Sequence, residues 1–162
     1  MCGLPAKAGE LPISVFERQA TIRWMSSPPD GVPRMTVGSG SLHSVPLSLD
    51  PNAIHPLATS PGELLAGAIG AVFAWFVAQE LVKQGSHARQ LTAEVSVSCD
   101  DGGELSELTV SAIACRLLGR VPNIGQERLA AIAEAALGRC IKTLGLRREA
   151  LAVTVETMLE GA

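Results

Sequence analysis

The chain has 162 residues, 47% of them hydrophobic and 18% charged, with a formal net charge of −3. A chain of this length is most simply one domain and buries roughly 70% of its unfolded surface. The near-neutral balance leaves no electrostatic footprint for nucleic acid or an anionic membrane. Two Trp, three Phe and no Tyr are too few for a base-stacking surface.

Met1-Cys2-Gly3-Leu4-Pro5 has no basic stretch followed by an apolar one, so no signal peptide is read and a cytoplasmic protein is expected. Residues 1–15 read as a flexible N-terminal segment, and residues 16–162 as a single domain. Phe16 to Trp24 alternates as a half-exposed strand. Ser26-Ser27-Pro28-Pro29-Asp30-Gly31 then turns the chain, Pro fixing φ and Gly accepting φ > 0. Arg34 to Val37 and Ser44 to Leu49 are short strands divided by Gly38-Ser39-Gly40, which lacks the rest of a dinucleotide fingerprint and is a turn. Asp50 to Ala58, with Pro51 and Pro56, is a loop.

An uncharged run from Leu64 to Ala78 follows. It is too long for a strand and falls short of the roughly 20 residues a membrane span needs. It reads as a helix enclosed by protein on all sides. Ser60 suits the N-cap, Pro61 suits N1 and Glu63 falls at N3, which makes a capping box. The helix is expected to end near Gln84, with Gly85 just past its end. Leu91 to Cys99 and Glu107 to Leu118 form a hairpin about Asp100-Asp101-Gly102-Gly103. Gln126 to about Lys142 is an amphipathic helix with Leu129, Ile132, Ala136 and Cys140 on one face, and Leu151 to Leu159 alternates as a last strand. The order β-β-β-α-β-β-α-β, with hairpins and no βαβ alternation, predicts an α+β fold with a mainly antiparallel sheet around a long buried central helix.

Cysteines at 2, 99, 115 and 140 lack zinc-ligand spacing, and His43, His55 and His87 show no metal spacing. No cofactor or metal is expected. Cys99 and Cys115 lie in strand-like segments as small apolar fillers.

Three local stretches resemble the OsmC/Ohr family, the osmotically inducible and organic-hydroperoxide-resistance proteins. Thr59-Ser60-Pro61-Gly62-Glu63-Leu64-Leu65-Ala66 is similar to the start of the family's central helix. Gly119-Arg120-Val121-Pro122-Asn123-Ile124 resembles its Val-Pro-Gly-Ile connection, and Gly138-Arg139-Cys140 its second-cysteine segment. The resemblance implies an intertwined homodimer whose sheets enclose both central helices. It also implies thiol chemistry: a thiolate on the central helix attacks an organic hydroperoxide, an Arg held by a Glu lowers its pKa, and a second Cys resolves the sulfenic acid.

Residue by residue, that machinery is incomplete. The position of the Glu is Gly62, that of the reactive Cys is Val72, and that of the Arg, in one branch of the family, is Pro29. Arg23 and Arg34 are out of register and do not inherit the role. Cys140 alone matches, at the resolving position. Arg139 and Lys142 point off its apolar face. Glu63 is explained by capping, with a shifted catalytic carboxylate as the other reading, and His55 is an auxiliary cation candidate. These residues predict a family member with lost or much reduced peroxidase activity. The alternatives are a reductase using Cys140 alone and a non-catalytic binder of a small hydrophobic ligand in the dimer pocket.

Overall fold

The computed structural model describes residues 17–24, 32–48, 58–100 and 109–160. The chain divides into two compact units, residues 1–47 and 48–162.

The first unit is a three-stranded antiparallel sheet of β1 (Ala20–Arg23), β2 (Arg34–Val37) and β3 (Val45–Pro46) in that spatial order. Ile22 lies opposite Met35, and Met35 opposite Val45, so one face of the sheet is apolar. Thr21 lies opposite Thr36 and Arg23 opposite Arg34 on the other. The first strand is shorter than the alternation from Phe16 suggests. The turn containing Pro29, the loop containing His55, and Cys2 all lie outside the described residues.

The second unit contains α1 (Pro61–Lys83), β4 (Gln90–Asp100), β5 (Thr109–Arg120), α2 (Gln126–Thr143) and β6 (Ala152–Leu159). The predicted capping box is present. The Ser60 hydroxyl accepts from the Glu63 N–H at 3.2 Å, and the Glu63 carboxylate accepts from the Ser60 N–H at 2.6 Å. Gly85 follows the helix at φ +73, the left-handed residue that ends it. β4 and β5 pair antiparallel, with a register shift at Ser98/Cys99.

β6 departs from the sequence reading. It pairs parallel to β5, from Ala112 opposite Ala152 to Gly119 opposite Leu159. β5, α2 and β6 therefore make one βαβ crossover, and the sheet order is β4-β5-β6. The turn before α2 uses Pro122 and then Asn123 at φ 60, where the resembling motif has Gly; Asn is among the few residues that accept that region. At the same end of the crossover, the side chain of Gln126, the first residue of α2, works as an extra peptide group for the end of β6. Its amide nitrogen donates to the Thr157 carbonyl at 2.7 Å, and its oxygen accepts from the Leu159 N–H at 2.9 Å.

The core joins Ile69, Phe73, Val77 and Leu81 of α1 to Ile113, Cys115 and Leu117 of β5 and to Leu129, Ile132, Leu137 and Cys140 of α2. Spacing of four places the α1 residues on one stripe. Enclosure on all sides is not what the single chain provides. Ala68 and Ala71 are exposed, Trp75 is 62% exposed and Val82 54%. Counted over its full 23 residues, α1 is long and apolar enough to cross a membrane, although it packs as the core helix of an α+β unit.

Candidate functional site

Two separate regions of α1 hold the residues singled out in the sequence. One faces β4, the other α2.

On the β4 side, small side chains leave space. Ala66, Gly67, Gly70, Ala71 and Ala74 of α1, with Ala93 and Val95 of β4, line an open groove of about 490 Å³ that has Glu63 at one end. The approach is closest at Gly70, where a Cβ would stand 3.3 Å from a Val95 methyl. The Glu63 carboxyl is exposed, and its pKa is held below the ordinary value first by the Ser60 N–H and then by the Ser60 hydroxyl. Both oxygen-directed interactions belong to the helix cap, so the structure accounts for Glu63 without chemistry. Gly62 is half-buried, and the nearest atom to an added Cβ is the Ser60 hydroxyl at 3.9 Å; space for a side chain exists there.

On the α2 side, Cys140 is fully buried. Its thiol donates to the Ile69 carbonyl at 3.6 Å. Val72, three residues beyond Ile69 and so almost a turn further on, is partly buried and packs on the core. The structure therefore brings the Cys140 position and the Val72 position to the same side of α1, and neither lines the groove. Burial raises the pKa of the Cys140 thiol. An apolar setting that disfavours the thiolate makes a sluggish nucleophile.

Two features of this region were not foreseen. Cys115, on β5, is 3% exposed and close enough to Cys140 to feel its charge; burial first, then Cys140, pushes its thiol up to about 11. Its strand alternation gave only its face, not what α2 would set against it. Arg139 does leave the apolar face of α2, but it does not simply enter solvent: its guanidinium lies 4.2 Å from the centre of the Phe76 ring. Phe76 is one turn beyond Val72, and Glu80 one turn beyond Phe76. The Glu80 carboxyl is held below its usual range by Gln84, then Lys83, with the Arg139 charge contributing. A guanidinium thus lies over a ring one helical turn from Val72, supplied by a residue that carries no such role in the resembling pattern.

Among the described residues there is no group of three or more His, Cys, Asp or Glu able to hold a metal. Cys99, Cys115 and Cys140 are unbridged.

Residues 54–156 match a family model described as OsmC-like protein. No curated protein sequence matches the chain. Solved structures do. The organic hydroperoxide resistance protein OhrB of Bacillus subtilis is similar at TM-score 0.68 and 18% identity, over 90% of this chain and all of that one. An OsmC-like protein of unknown function from Vibrio cholerae is similar at TM-score 0.70 and 12% identity, over 89% of this chain and all of that one. An organic hydroperoxide resistance protein from Elizabethkingia anophelis, solved with thiocyanate bound, gives 0.69 and 15%, over 91% and 99%. At these identities the likeness is one of fold.

Proposed function

The chain belongs to the OsmC-like protein family, and from that premise we propose that it is a member of the organic-hydroperoxide lineage without two-cysteine peroxidase chemistry. The observation that carries this reading is the partner of Cys140. Its thiol donates to the Ile69 carbonyl, and the family's reactive position on α1 is Val72. Valine is apolar and packs in a buried site as a cysteine can, but it has no sulfur lone pair to attack a peroxide oxygen. The raised pKa of Cys140 further supports an unreactive thiol.

The test is consumption of cumene hydroperoxide in the presence of dithiothreitol. The expected rate equals that of the Cys140→Ser variant. Rapid turnover that Cys140→Ser abolishes would make Cys140 a one-cysteine reductase and overturn the proposal.

The groove beside β4 favours a second reading, in which the protein holds a small apolar ligand without transforming it. Binding of 1-anilinonaphthalene-8-sulfonate that Gly67→Leu removes would support it. A homodimer and a cytoplasmic setting belong to the same proposal. The open stripe of Ala68, Ala71, Trp75 and Val82 supports the dimer, since such a face is stable in water when a second copy covers it. Light scattering should then give twice the 16.9 kDa chain mass; the mass of one chain would sink this part.

A further inference from the structure

The polar face of the first unit holds an arrangement that folding alone does not explain. Alternation sends Thr21 and Arg23 of β1 and Arg34 and Thr36 of β2 to the same side of the sheet. The register sets Arg23 directly opposite Arg34 and Thr21 directly opposite Thr36. Two guanidinium groups and two hydroxyls therefore stand in a compact ladder. Side chains directly opposite each other on antiparallel strands start from Cβ atoms about 5 Å apart, and like charges so placed destabilise the sheet. Both arginines are exposed, and among the described residues neither forms an ion pair with a carboxylate.

The ladder is also held in place. Arg34 Nη1 donates to the Ser44 carbonyl at 2.7 Å. Ser44 sits at φ 53, a left-handed conformation uncommon for a residue with a side chain, and one that clusters where structure is held for use. The Ser44 N–H donates to Thr36 Oγ1 at 3.1 Å. A hydroxyl that already accepts has its own hydrogen free to donate elsewhere. The Arg23 fork, the remaining Arg34 N–H groups and the Thr36 hydroxyl are thus donors on one face.

We propose that this face binds the phosphate group of a small phosphate-bearing molecule, the two arginines gripping its oxygens and the threonine hydroxyls completing the contact. Arginine forks match phosphate oxygens in bidentate fashion, and a dianion converts the Arg23–Arg34 repulsion into two attractions. The proposal is independent of any thiol chemistry in the second unit.

Inorganic phosphate is the probe, titrated into the full chain and followed by the amide signals of residues 21–23 and 34–36, against sodium chloride at equal ionic strength. Saturable shifts in the millimolar range are expected with phosphate alone. Arg23→Gln and Arg34→Gln should each weaken binding roughly tenfold, the scale of losing a charge-assisted contact. In phosphate-free buffer Arg23→Gln should raise the thermal midpoint, because it removes the like-charge pair, while cancelling the further rise that phosphate gives the parent. Equal shifts in chloride, or undiminished affinity in both variants, would overturn the site. Capture by vesicles of phosphatidylcholine and phosphatidic acid without any response to free phosphate would overturn the small-molecule assignment.

Discussion

The Cys140 thiol donates to the main-chain oxygen of Ile69 at 3.6 Å and so fastens α2 to α1 at a point where both are fully buried. The cysteine whose segment resembles the family's resolving position thus ties the two helices together. Truncating it to Ala removes the donor and leaves a small void, so Cys140→Ala should cost about 1–2 kcal/mol in denaturant unfolding. Loss of no stability at all would show that the contact is incidental.

Cys115 gives the second unit an alkaline limit. Its ordinary pKa of 9.0 is raised to about 11 by burial and by Cys140. The folded state then binds its proton more tightly than the unfolded state does. The stabilisation is complete below pH 9 and is lost as pH rises towards 11, on the order of 2–3 kcal/mol. Cys140, shifted the same way, adds to the slope. Chemical denaturation across that window should show the loss, and Cys115→Val should flatten it. An unchanged slope in the variant would assign the effect to other groups.

Ser60 and Glu63 should matter to stability and not to turnover. Ser60→Ala should cost about 1 kcal/mol by orphaning the first-turn N–H groups. The Glu63 carboxyl, with its pKa lowered by the Ser60 N–H, supports the folded state above its ordinary range and loses that support as pH falls through its depressed folded value. Glu63→Gln should therefore lessen the acid sensitivity of α1, followed by circular dichroism. A change in hydroperoxide consumption, with the helix intact, would contradict the capping role.

Two glycines of α1 should respond in opposite ways to the same substitution. An added Cβ at Gly67 meets nothing within 4 Å, so Gly67→Ala should stabilise by about 0.5–1 kcal/mol through helix propensity. At Gly70 the added carbon stands 3.3 Å from the Val95 methyl, and the gain should be offset or reversed. Equal thermal shifts for both variants would mean that β4 yields freely.

Arg139 sets the outcome of restoring a thiol at position 72. Its guanidinium lies over Phe76, one turn away, and a nearby cation favours a thiolate. Val72→Cys should give a thiol that alkylates at lower pH than free glutathione, and adding Arg139→Gln should raise that pH. If the pH profile ignores Arg139, the guanidinium does not reach the site.

Much of this architecture was legible because its signals are local. Ser60, Pro61 and Glu63 announce the start of α1 within four residues, and Gly85 its end. The spacing of Leu129, Ile132, Ala136 and Cys140 gives the buried face of α2. What stayed hidden depends on partners distant in sequence. Alternation in residues 151–159 specifies a strand but not that it runs parallel to β5. The apolar run of α1 does not say which stripe the chain itself covers. Nor does any periodicity put Arg139 on Phe76 or Cys115 near Cys140.

The parallel pairing of β6 also governs when the second unit becomes whole. β4 and β5 are neighbours in sequence and can zip together early, whereas Ala112 meets Ala152 only after the thirty-nine residues between them, α2 among them, have been laid down. On a ribosome, which emits the chain in order, a partial sheet must therefore wait with the hydrogen-bonding edge of β5 open for its last neighbour. Synthesis that stalls between α2 and β6 would leave that species for chaperones to hold, and pulse labelling of nascent chains should find protection of the β4–β5 amides well before that of β6.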